Sequence, residues 1–162
     1  RAWVQAGSWA VAASLVFGMV WWVGTLDHAM KPDLEAAVSV HERDLPMEVR
    51  GTREHVRSYL QRNVAFDVRV PGEGVEGMRL TGARLVNVGE EPAVLYTYDV
   101  NGRRVSIVQM RSPTDTADST MAPTVENYKG VRGFTYRKNG LYNTVVGNVR
   151  QGDLKRLIRV QP

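Results

Sequence analysis

Few side chains in this sequence could do chemistry. The 162-residue chain has three histidines, His28, His41 and His55, and no cysteine. A zinc site needs His, Cys or carboxylate ligands at short fixed spacings, as in H-E-x-x-H on one helix face. These histidines stand far apart, and no thiol can complete a set or act as a nucleophile. Each is read as a single exposed side chain. Glu90 and Glu91 are neighbours beside Pro92, and adjacent turn carboxylates are solvated rather than set up as an acid–base pair. Gly72-Glu73-Gly74 precedes a strand pattern, so it lacks the helix N-terminus that would hold a phosphate. There is no G-x-S-x-G elbow, phosphate loop or G-x-G-x-x-G. The expectation is no catalytic, metal-binding or cofactor-binding residue, no cofactor and no enzymatic activity. The 21 Lys+Arg and 17 Asp+Glu are interspersed, for a net charge of +4. No face is basic enough to suggest nucleic acid.

The elements that carry these residues fall into two parts. Residues 2–26, AWVQAGSWAVAASLVFGMVWWVGTL, hold no charged side chain. A membrane helix needs roughly 20 mainly apolar residues. At about 1.5 Å per residue, Trp3 to Trp22 would span about 28 Å. Trp3 and Trp9 near one end and Trp21 and Trp22 near the other would then sit at the two interfaces of a lipid bilayer. Ala6, Ala10, Ser14 and Gly18 recur every four residues, a stripe of small side chains that favours helix packing in lipid and hence a homo-oligomer. The expected organisation is a transmembrane helix over 1–26, a juxtamembrane linker helix over 27–45 and an outer domain over 46–162. Arg1 is not a methionine, so a longer chain is expected.

Residues 33–44 carry Leu34 and Val38 at helical spacing, and Pro46 follows. Thr52 suits an N-cap, and Val56, Tyr59, Leu60 and Val64 form one apolar face behind it. After Pro71 the period drops to two. Strands are expected over 78–88, 93–100, 103–110, 133–137 and 141–146, with Asn101-Gly102 and Asn139-Gly140 as two-residue hairpin turns. Met47–Arg50 reads as a short edge strand and Asp153–Val160 as a last amphipathic helix. No internal repeat is visible. The expected class is α+β: an antiparallel sheet of about five strands, with two or three helices on one face. Residues 112–127, SPTDTADSTMAPTVEN, read as a long exposed loop. Asp115, Asp118 and Met121 in it are candidate partner contacts.

The ordered set of segments resembles the extracytoplasmic half of bacterial single-pass transmembrane anti-sigma factors. The residues that carry it begin with Val40-His41-Glu42-Arg43-Asp44-Leu45-Pro46 and the Val56–Leu60 helix. Phe66-Asp67-Val68-Arg69-Val70-Pro71 follows. Leu80-Thr81-Gly82-Ala83-Arg84-Leu85 is similar to the family's G-(A/G)-R-L strand, and Glu91-Pro92-Ala93-Val94-Leu95-Tyr96 to its R-P-A-A-x-L-V-Y strand. Gly133-Phe134 through Val146 resembles the closing hairpin, with Tyr136 where the family often has Trp. The resemblance covers about residues 3–158. It implies a regulator in the bacterial inner membrane with its C-terminal domain in the periplasm. Such an outer domain senses conditions or binds a protein, while a zinc-binding cytoplasmic part, absent from this sequence, holds a sigma factor. The alternative is a non-catalytic structural or assembly subunit of a membrane protein complex.

Overall fold

The computed structural model describes residues 34–112 and 121–147. The segment 2–26 with its tryptophans and small-residue stripe lies outside the described residues, as do His28, Asp115, Asp118 and the stretch 153–160. Among the described residues no helix is long and apolar enough to cross a membrane.

Helix α1 spans Leu34–Glu42 and α2 spans Arg53–Gln61. Six strands follow: β1 (Met78–Val88), β2 (Glu91–Val100), β3 (Arg103–Arg111), β4 (Met121–Tyr128), β5 (Val131–Lys138) and β6 (Leu141–Gly147). They form one antiparallel sheet in the order β1-β2-β3-β6-β5-β4. The expected α+β class with about five strands is therefore corrected. The described residues make a six-stranded, mostly β architecture with two short helices. The added strand is β4, which takes up most of the second half of the expected 112–127 loop, so Met121 opens a strand.

The sheet consists of two three-stranded meanders, β1-β2-β3 and β4-β5-β6, joined by β3–β6 pairing. Sequence self-similarity does not reveal them. Asn101-Gly102 and Asn139-Gly140 close hairpins as expected, with φ of 52° and 78°, and 53° and 72°. Positive φ at both positions is the type I′ geometry that matches strand twist. Lys129-Gly130 does the same between β4 and β5, with φ of 50° and 81°.

The two helices lie on opposite faces, not on one as expected. On the first face, Leu34, Ala37 and Val38 of α1 join Val88, Leu95, Val108, Met110, Tyr142 and Val146 in one core cluster. On the second, Val56 and Leu60 of α2 join Tyr96, Tyr98, Val105, Ile107, Phe134 and Val145. Successive strand residues point to opposite faces, so the central strands must be apolar or neutral at every position. Residues 105–110 of β3 are buried throughout, and so is all of β6. Thr52 caps α2 as expected, its hydroxyl accepting from the His55 backbone N–H at 3.3 Å. The Glu54 carboxyl in that first turn is held below its usual range by its own backbone N–H and the Thr52 hydroxyl.

Candidate functional site

Polar side chains converge on the α2 face. Between α2 and the β5–β6 turn, residues Phe66–Gly72 cross the sheet as a strap without strand pairing of their own. Backbone polar groups near a core must be satisfied somewhere, and here side chains do it. Gln61 uses both ends of its amide: Nε2 donates to the Phe66 carbonyl at 2.9 Å, and Oε1 accepts from the Val68 N–H at 2.8 Å. Gln109 of β3 repeats the device one step on. Its Oε1 accepts from the Arg69 N–H at 3.3 Å, and its Nε2 donates to the Arg69 carbonyl at 2.8 Å. The Arg53 guanidinium donates to the carbonyls of Val70, Pro71 and Gly72 at 3.2, 2.8 and 2.7 Å. The Tyr98 hydroxyl donates to the Pro71 carbonyl at 2.7 Å. Burial raises the pKa of both Tyr96 and Tyr98, so both remain neutral donors.

Beside the strap is an open cleft of about 420 Å³. Arg53, Arg57, Arg69 and Lys138 line it, with Glu54, Asp67 and Glu73 among them. Asp67 bridges Arg57 and Arg69, both at 3.3 Å, and all three side chains are more than half exposed. Exposed pairs of this kind contribute roughly 0–1 kcal/mol. The cleft is nearly charge-balanced. Its lining carries no histidine, serine or threonine. Among the described residues no group of His, Asp and Glu could hold a metal ion.

The sequence reading of His41 needs correction. It is half-buried at the end of α1, and its Nδ1 is hydrogen-bonded to Ser106 Oγ at 2.7 Å. Ser106 is fully buried, so this pair clamps α1 to β3 and offers no nucleophile to a substrate. Arg104, also on β3, donates to the His41 carbonyl and to Asp44. It thereby supplies a cation at the helix C-terminus. Burial, and then the Arg104 charge, lower the His41 pKa below 6.5, while Glu42 and Asp44 pull the other way. The sign follows. Above pH 6.5 His41 is neutral in both states and the clamp is at full strength. As pH falls through 6.5 the unfolded chain takes the proton first, so stability declines until the lowered folded pKa is reached. Urea midpoints measured from pH 7.5 to 5 should fall, and His41→Asn should flatten that part of the profile. An unchanged slope in the variant would assign the pH dependence to other groups.

His55 is exposed, as expected, and Glu90 and Glu91 are exposed at the β1–β2 turn. No sequence pattern marks the strap, because Gln61 and Gln109 are distant in sequence and neither belongs to a motif. The one available signal was Gln109 itself, an amide within an otherwise apolar β3 stretch.

The two sheet edges differ. At β1, Val49 bridges Ala83: the Val49 N–H donates to the Ala83 carbonyl at 3.0 Å, and the Ala83 N–H to the Val49 carbonyl at 2.9 Å. The Glu48 carboxylate accepts from the Leu85 N–H at 3.1 Å and from Arg84 at 3.3 Å. At β4 no described residue pairs with the outer side. Val125 there is 57% exposed, the only large apolar side chain so exposed among the described residues. No protein-family model matches this chain, and no curated protein and no solved structure shows significant similarity to it.

Proposed function

We propose that this chain is the membrane-anchored part of a bacterial regulator of the anti-sigma type. Its C-terminal domain lies in the periplasm and binds a protein, and residues 2–26 form the single helix that carries the signal across the inner membrane. One structural observation supports binding over chemistry. The conspicuous polar side chains of the α2 face, Arg53, Gln61, Tyr98 and Gln109, are engaged in holding the strap, so what the domain offers outward is surface. The uncharged segment 2–26 and the order of motifs in the sequence supply the membrane and regulatory parts of the reading.

The test is a pull-down of the full-length protein from membranes in mild detergent, followed by mass spectrometry. Recovery of a sigma factor together with a periplasmic protein is the expected result. Stoichiometric recovery of the subunits of one membrane complex, with no sigma factor, would overturn it in favour of a structural subunit.

A further inference from the structure

Among the described residues the outer edge of β4 pairs with no other strand, and its geometry specifies what can pair there. Lys129-Gly130 is a two-residue type I′ turn, so the flanking Tyr128 and Val131 form a hydrogen-bonded pair. Hydrogen-bonded and non-hydrogen-bonded pairs alternate along an antiparallel ladder. Glu126↔Gly133 and Thr124↔Thr135 are therefore also bonded inward. The N–H and C=O groups of Val125 and Asn127 point outward. Free edges normally carry a guard. Segment 47–49 serves at β1. Strand β4 has a register irregularity between Met121 and Thr124, together with Pro123, which has no N–H, and the Glu126 charge. These leave Val125 and Asn127 as the outward pairing groups.

We propose that the β4 edge receives one extended segment of a partner protein, in which an apolar β-branched residue is flanked by basic residues. Val125 stands beside Phe134 on the α2 face, and Glu126 lies on the opposite face. Glu126 is exposed and makes no ion pair among the described residues. An added strand places alternate side chains beside each. An apolar residue covers Val125, and a cation on the other face meets Glu126. Opposite charges across strands stabilise the pair, and like charges oppose it.

A second copy of this chain fits less well. Twofold pairing centred on Glu126 sets that carboxylate against its own copy. Centring on Val125 brings Asn127 opposite Pro123, where the donor is missing. Centring on Asn127 runs into the Lys129-Gly130 turn after one bonded pair. A separate peptide can take the register that uses only the outward groups of Val125 and Asn127, and its charge is free to complement Glu126.

The inference names the surface for the protein-binding role proposed above and rests on it. The test uses the full chain in mild detergent and a capped heptapeptide of alternating valine and lysine. Amide exchange at Val125 and Asn127 should slow on binding. Val125→Pro removes an outward N–H and leaves the β4–β5 ladder intact, and it should weaken binding at least tenfold. Glu126→Lys should weaken it and shift preference to a valine–glutamate peptide. Equal binding by all three proteins would overturn the proposal. So would a dimer of the unmodified chain that Val125→Pro dissociates, which would give the edge to a second copy. If the membrane pull-down recovers its partner equally well with Val125→Pro, the binding role stands and this surface is wrong.

Discussion

Replacing Gln109 with leucine is expected to destabilise the domain by about 3 kcal/mol, although the two side chains are similar in size. Gln109 is 2% exposed and makes four hydrogen bonds. Two go to the Arg69 backbone. The other two join the Tyr96 hydroxyl at 3.2 Å and Asn143 Oδ1 at 2.9 Å. Leucine makes none of them. Arg69 is exposed, so water can take over its backbone groups. Tyr96 and Asn143 are buried, and a buried group left without its partner costs roughly 1–3 kcal/mol. Two such groups, less a small gain from the apolar side chain, give the figure above. The effect should also be local. Amide exchange should rise first over residues 66–72, at denaturant levels where the sheet is still protected. A loss below about 1 kcal/mol, or uniform exchange across the domain, would mean that the strap does not depend on this amide.

The reach and the limits of sequence reasoning both come from particular residues. Asn101-Gly102 and Asn139-Gly140 locate their hairpins because few dipeptides tolerate positive φ at both positions. The strands over 78–88 and 103–110 are legible from residue type and turns alone. β4 was not legible. An edge strand faces water on one side, so Thr124, Glu126 and Asn127 are polar and Pro123 is tolerated, and the composition is that of a loop. The placement of the helices was missed for a related reason. A strand buried on both faces has no alternation to show which face a helix covers, and β2 and β3 are buried in this way. His41 lay on a helix whose partner face was unknown, so nothing in the sequence tied it to Ser106, 65 positions away. Long-range pairs of this kind carry no local pattern, and the strap is made of them.

Close packing of α1 on the sheet makes Gly133 a sensitive position on that face. A β-carbon there would stand 2.2 Å from Leu34 Cδ1 and 3.2 Å from the Val145 carbonyl oxygen. Gly133→Ala in a strand would otherwise be favourable, because glycine loses more backbone entropy on folding. A measured loss therefore reports the clash. About 2 kcal/mol is expected, typical of overpacking a filled core, with faster amide exchange in α1 than in α2. Leu34→Ala alone should also destabilise, by about 2–3 kcal/mol, since Leu34 is buried. The two changes should not add. Removing Leu34 Cδ1 removes the obstacle, so Gly133→Ala should be neutral or stabilising in the Leu34→Ala background, giving a coupling of about 2 kcal/mol. Strict additivity would mean that the Val145 carbonyl, which cannot be trimmed away, is the true obstruction. The physical point lies in the pairing of one glycine with one leucine. Helix α1 buries Leu34, Ala37, Val38 and Val40, and hydrogen bonds from His41 to Ser106 and from Tyr128 to Glu35 add to its hold on the sheet. Its first contact is made possible by the absence of a side chain on β5.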